Sequence, residues 1–293
     1  MDIGFTSRRA HRRNRYRRVP TMTAQESAMS EEHRPAIRTD IPHSARIWNY
    51  WMGGTDYYEV DRIAGDAGIA VDPEITTMAV RSRQFLIRAV RFLAAEKGIR
   101  QFLDIGTGLP TMQNTHEVAQ QVAPESKIVY VDNDPLVLAH ARALLADTTD
   151  AGVTVYLDSD YHRPELIVSD ARHVLDFTRP VAVMFMGVLG HAQSFDEMRR
   201  IVHTVLEATS SGSYLVLWDG TDDSAAYVTL CRNYTDTGGV PYTPRPQSEI
   251  RAVFDGLTLV EPGVVPIDRW RPDTPGTEDA PPISAYGGVG RKP

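Results

Sequence analysis

The stretch Gln101-Phe102-Leu103-Asp104-Ile105-Gly106-Thr107-Gly108-Leu109-Pro110 decides the fold. Its apolar run, Phe102, Leu103 and Ile105, reads as a buried strand that two glycines then break. Beyond Pro110 and Thr111 the pattern turns helical, with Val118 and Val122 four residues apart. A strand, a glycine turn and a helix start therefore follow one another. Glycine has no Cβ and tolerates positive φ, so such a turn lets a ligand approach the backbone closely. The helix N-terminus behind it offers unpaired N–H groups and the positive end of a dipole.

The residues around the turn narrow the choice of ligand. A dinucleotide fingerprint asks for a third small residue, and Thr111 stands in its place. Asp104, two residues before the first glycine, would repel a pyrophosphate and attract a ligand carrying an amino group and a sulfonium. The next apolar run, Lys127-Ile128-Val129-Tyr130-Val131-Asp132, ends in a second carboxylate, suited to gripping ribose hydroxyls. These two strand ends resemble those of the class I, Rossmann-like S-adenosylmethionine (AdoMet) methyltransferases. An ordinary α/β turn without a ligand is the bland alternative.

The chain has 293 residues, 42% of them hydrophobic and 24% charged, as in globular proteins with a sizeable core. Lys97, Lys127 and Lys292 are the only lysines, so 28 of the 31 basic residues are arginines, a bias that reads as genomic composition. The net charge of −7 hides an asymmetry: residues 1–20 hold seven arginines and one acid, so the rest carries −13. An acidic body without a basic stripe argues against nucleic acid as a partner. The single cysteine, Cys231, excludes an internal disulfide and any multi-cysteine zinc site, and the nine histidines show no metal-ligand spacing. The longest apolar stretch, Val181 to Leu189, is too short to cross a bilayer, and the arginine-rich start lacks a secretory h-region. A cytoplasmic protein is the expectation.

Residues 1–40 read as a disordered arginine-rich tail, with Met22 and Met29 as alternative starts. Residues 41–98 read as an N-terminal helical segment packing on the core, with a helix from Ser44 to Met52 and another from about Ile75 to Glu96. Arg46 and Tyr50 of the first, with nearby Asp56, have two readings: they face a cofactor, or the segment simply docks on the main domain through Trp48, Trp51 and Tyr57, which is the favoured reading. Residues 99–293 read as the ligand-binding domain. Strands at 101–105, 127–131, 153–157, 181–186 and 213–218 alternate with helices, which implies a parallel sheet with right-handed crossovers. Two last strands, 257–265 and 283–290, flank the proline-rich loop 271–282. The fold class is thus α/β: a Rossmann-like, seven-stranded, mostly parallel sheet with helices on both faces and an N-terminal helical addition.

A narrower match rests on Pro42-His43-Ser44-Ala45-Arg46 through Gly53-Gly54-Thr55-Asp56, Gln101 to Thr111 and Val129 to Pro135. Leu175 to Val181, Phe254-Asp255-Gly256-Leu257, Trp270-Arg271-Pro272-Asp273 and Tyr286-Gly287-Gly288-Val289 extend it. These segments resemble the actinobacterial S-adenosyl methyltransferase family first catalogued as a domain of unknown function. The resemblance implies S-adenosyl-L-methionine as cofactor and leaves the acceptor open. With the chemistry of the residues it implies that Asp104 orients the methionyl end, Gly106 and Gly108 admit the ligand, and Asp132 accepts the ribose hydroxyls. Asn133 would lie against the adenine, Asp160 would take its amino group, with Asp158 the alternative, and Tyr161 would add its backbone or ring. Tyr50 and Arg83 are expected at the methionyl carboxylate. The chain departs from the family pattern at Ser82-Arg83, where Asn-Arg is usual, and at Gly190, which intervenes before His191.

His191 and Asp219 follow strand ends where open α/β sheets place ligands, and are the candidate catalytic bases, against roles as a loop residue and a helix cap. The residues Gly187-Val188-Leu189-Gly190 lack the Asn/Asp-Pro-Pro-aromatic signature used on nucleic-acid bases. The expected function is methyl transfer to a small-molecule acceptor, with no nucleic-acid or membrane partner and no metal. A non-catalytic AdoMet-binding protein and a nicotinamide dehydrogenase are the alternatives. Oligomeric state is not legible in the sequence.

Overall fold

The computed structural model describes residues 37–110, 113–144, 151–273 and 283–293. The expectations for residues 1–36, for a helix start at Thr111 and for most of the proline-rich loop lie outside them. Residues 37–293 form one compact unit. Its sheet has the order β3-β2-β1-β4-β5-β8-β6, with β7 also paired to β8. The strands β1 (Gln101–Ile105), β2 (Lys127–Asp132), β3 (Val153–Asp158), β4 (Ala182–Met186) and β5 (Tyr214–Gly220) are parallel, and β8 (Ala285–Arg291) runs antiparallel to β5. The expected strand over 257–265 is instead two short ones, β6 (Thr258–Leu259) and β7 (Val265–Pro266), both on β8. Pro262 has no N–H for a ladder and Gly263 takes a positive φ of 89°, so the strand breaks between them.

Strand parity divides the core. Phe102, Ile128, Tyr130, Met184, Val216 and Trp218 face α1 (Ser44–Trp51) and α3 (Ile75–Ala95), together with α4 (Thr115–Val122). Leu103, Ile105, Val129, Phe185 and Leu217 face α6 (Pro164–Ala171), α7 (Phe195–Glu207) and α9 (Gln247–Ala252). Because side chains alternate along a strand, Asp104 and Asp132 share the face of Phe102 and Tyr130. Between β2 and β3 runs α5 (Pro135–Leu144), and α8 (Ala225–Asp236) follows β5.

The N-terminal segment is clamped by Arg46, whose buried guanidinium donates to the carbonyls of Arg38 and Ile41 (both 2.8 Å) and pairs with Asp61 at 3.2 Å. Asp61 also accepts from the backbone N–H groups of His43 and Tyr58. Of the two readings of Arg46, docking is the one its contacts support. The helix α2 (Glu59–Val71), absent from the sequence reading, carries Gly65 and Gly68 in its interior. Two glycines argue against a helix on propensity, but a Cβ on either would lie 2.6 Å from the Tyr50 ring or 2.9 Å from that of Trp51. Packing against α1 overrides the propensity.

On the other side of α3, Arg88 donates to the carbonyls of Trp270 (2.9 Å) and Ile267 (2.6 Å), while Phe85 and Phe92 meet the Trp270 ring edge-on. Trp270 is fully buried and joins the C-terminal segment to α3, the longest helix among the described residues. Trp270→Ala is expected to cost about 3–5 kcal/mol of stability through the cavity it leaves. Urea unfolding checks this, with Trp270→Phe expected to lose less.

Candidate active site

A cavity of about 370 Å³ opens at the carboxyl ends of β1, β2 and β4. There the strand order turns from β2 on one side of β1 to β4 on the other, the switch point at which open α/β sheets bind ligands. Gly106 and Gly108 both have positive φ, 72° and 65°. A Cβ on Gly106 would run into Val188, so only glycine closes this turn against the β4 loop. The N–H of Gly108 donates to Asp132 Oδ2 (2.8 Å) and that of Asp134 to Oδ1 (2.9 Å). Asp132 thus binds the glycine turn of the neighbouring strand to its own loop. Burial raises its carboxyl above the usual range, and those two N–H groups oppose the rise.

At the floor of the cavity stands Asp104, 2% exposed. Its Oδ2 accepts from the Thr115 hydroxyl at 2.6 Å, and its Oδ1 is buried with no partner. Burial pushes the carboxyl up to about 6, with the Thr115 hydrogen bond and the Arg83 charge opposing. Strand parity turns Asp104 toward α3, which brings Arg83. One guanidinium nitrogen donates to Asn114 Oδ1 at 2.6 Å, while Nε is buried without a partner. Burial lowers the Arg83 pKa, but a guanidinium keeps its charge. Asn114 is the N-cap of α4 and Thr115 its first residue, so one helix start orients both charged groups.

Asn133, Asp160 and Tyr161 line the same cavity. Asp160 accepts from the His162 N–H (2.9 Å) and faces its ring nitrogen at 2.7 Å, while Asn133 is exposed at the rim. The Tyr161 hydroxyl is buried without a partner. Asp158, the alternative to Asp160, is not among the lining residues. Two expected site residues are placed elsewhere. Helical spacing turns Ser44, Ala45, Trp48 and Met52 toward the cavity, and Tyr50 toward α2, where its hydroxyl donates to Asp66 at 2.5 Å. Asp219 is 1% exposed and lies behind Tyr242, which donates to its Oδ1; it is not among the residues lining this cavity or the smaller one beside it. Direct contact between Asp219 and a substrate is therefore blocked.

His191 does reach the cavity. Its Nδ1 lies 2.8 Å from the Pro241 carbonyl oxygen, which can only accept, so Nδ1 carries the proton. Burial lowers its pKa, which leaves neutral imidazole with an Nε2 lone pair at neutral pH. The sequence reading did not assign His43, Val188 and Trp218 to the site, although all three line it. His43 was legible within the Pro42–Arg46 match, and pairs with Asp134 at 2.9 Å; Trp218 carried no signal beyond its strand. Among the described residues no three His, Cys, Asp or Glu side chains group to hold a metal, and no helix is long and apolar enough to cross a membrane.

Comparison with known proteins gives the family. A search of curated proteins returns no match. Two solved structures are similar over 88% of this chain. One is a DUF574 family protein from Streptomyces avermitilis, 43% identical, matched over 100% of its length with a TM-score of 0.83. The other is a protein from Thermobifida fusca described as a candidate methyltransferase, 40% identical, matched over 97% of its length with a TM-score of 0.81. The profile of the S-adenosyl methyltransferases matches residues 30–293, and the chain belongs to that family.

Proposed function

We propose that the protein binds AdoMet in the 370 Å³ cavity and transfers its methyl group to a small-molecule acceptor. The observation that carries this reading is the pair Asp104 and Arg83: opposite charges lining one buried wall, each with a polar atom lacking a partner. A buried polar atom without a partner costs on the order of 1–3 kcal/mol, so the pair is built for a zwitterion that satisfies both. The amino acid end of AdoMet is one. Asp132, at the tip of the adjacent strand, keeps lone pairs for a diol, and Asn133, Asp160 and Tyr161 lie beyond it for the base.

AdoMet supplies a methyl group already activated on a sulfonium, so the chain's task is positioning rather than charge stabilisation. Asp104 and Arg83 hold one end of the ligand, Asp132 the middle, and α1 roofs the cavity through Ser44 and Trp48. A dehydrogenase reading is disfavoured by the Asp104 carboxylate under the glycine turn. A non-catalytic binder would have its acceptor space filled by its own side chains, whereas a second, apolar chamber adjoins this cavity.

Calorimetric titration tests the reading. AdoMet and S-adenosylhomocysteine should bind in the micromolar range and NADH should not, with Asp132→Ala weakening both by about 10- to 100-fold, the loss of one or two charge-assisted hydrogen bonds. A folded protein that ignores AdoMet would overturn it. A pH series gives a second check. Asp104 is neutral below its value of about 6 and cannot pair with an ammonium. AdoMet affinity should therefore fall as pH drops from 7.5 to 5, and Asp104→Asn should be weaker and less pH-dependent over that range.

A further inference from the structure

Beside the cofactor cavity lies a smaller chamber of about 70 Å³, walled by α1, α2 and α8. The two share Ser44, Trp48 and His191, so these residues form the passage between them. The chamber is lined chiefly by aromatic and aliphatic side chains, among them Trp51, Tyr227, Leu230 and Tyr234, and by no Asp, Glu, Lys or Arg. We infer that the passage is the acceptor subsite, that the acceptor is a neutral phenol, and that His191 removes its proton while the chamber takes a short apolar ring substituent. This rests on the AdoMet reading above.

The acceptor class follows from what the lining offers. An ammonium would find no carboxylate there and a carboxylate no cation, and burying either unpaired is costly. The polar atom at the passage able to accept a proton is Nε2 of His191, since Nδ1 is committed to the Pro241 carbonyl. A general base works best on an acid of comparable strength. A phenol, with a pKa of about 10, is within its reach, whereas an aliphatic alcohol is too weak an acid. The step balances: the phenolic proton passes to Nε2 and the oxygen's electron pair forms the O–CH₃ bond. The breaking S–CH₃ bond leaves its pair on sulfur, which loses its positive charge.

The His191 ring is set by its neighbours. It stands edge-on to Tyr242, with centroids 5.0 Å apart, and the Tyr242 hydroxyl donates to buried Asp219. Tyr242 packs directly on Gly190, where any Cβ would collide with its ring. The glycine inserted before His191 is thus the space that Tyr242 fills, with the Tyr242 hydroxyl anchored on Asp219. The chamber is smaller than the cavity of about 150 Å³ that admits benzene, and holds about two or three water-sized groups. It suits a propyl-sized substituent, with the ring itself beside His191.

The test uses the full chain saturated with AdoMet and five probes: phenol, 4-propylphenol, 4-propylaniline, 4-propylbenzoate and 4-nitrophenol. Methylation of 4-propylphenol with kcat/KM at least about tenfold above phenol is expected, as filling an apolar pocket by even one methylene can give that factor. Ala64→Leu, which adds bulk to the chamber wall on α2, should reduce that preference about tenfold. The same variant should weaken calorimetric binding of 4-propylphenol to the S-adenosylhomocysteine complex. His191→Gln should lower kcat about 10²- to 10⁴-fold and remove the acid limb of the pH profile, leaving a rate that climbs toward pH 10 as phenol ionises. A nitrophenol, already ionised near neutral pH, should be rescued in that variant. Transfer to the aniline or benzoate in preference to the phenol, no transfer to 4-propylphenol, or an unchanged profile in His191→Gln would overturn the inference. Failure of AdoMet to bind at all would instead strike the reading beneath it.

Discussion

Two charges kept out of water organise this molecule. Asp104 is placed by strand parity on the face that α3 covers, and α3 answers with Arg83; α4 begins where it can supply Thr115 to one and Asn114 to the other. Removing charged groups from solvent is costly, and the hydrogen bonds here satisfy only part of each. A fold that tolerates this has other work for the remaining atoms. The surrounding apolar residues, from Phe102 and Tyr130 to Leu86, hold the two charges in a low-dielectric wall, where electrostatic interactions are less screened than in water.

The N-terminal segment completes the arrangement rather than decorating it. One face of α1 roofs the 370 Å³ cavity, another walls the apolar chamber, and a third is welded to α2 by Trp51 and Tyr50. His43 ties its start to Asp134, two residues beyond the acid at the tip of β2. The cavity lining is therefore assembled from the N-terminal segment together with the carboxyl ends of the parallel strands, from Asp104 to Trp218. Movement of α1 would open both spaces together.

The sheet was legible because its signal is local. Short apolar runs ending in Asp or Gly mark β1, β2, β4 and β5, and the two strand-end carboxylates at 104 and 132 do line one cavity. What could not be read depends on partners distant in sequence. The α2 helix hides behind glycines whose purpose is visible only when Tyr50 and Trp51 lie on them. Tyr50 looked like a ligand contact because helical phase relative to the cavity is a tertiary fact. Asp219 looked like a base because it ends a strand, but a tyrosine 23 residues later covers it. Asp104 and Arg83 were both expected at one end of the ligand, but the Thr115 and Asn114 side chains that orient them carried no sequence signature.

Several joints in this protein are made by an aromatic ring laid flat or edge-on against bare backbone: Tyr50 on Gly65, Trp51 on Gly68, Trp218 at Gly187 and Tyr242 on Gly190. Each joint is asymmetric under mutation. Replacing a ring by another ring leaves the seat intact, while any side chain on the glycine drives its atoms into the ring and displaces an element. Drift at these sites is therefore one-sided. The walls of the chamber can be recut through the aromatics, while the glycines beneath them cannot take a side chain without displacing a ring.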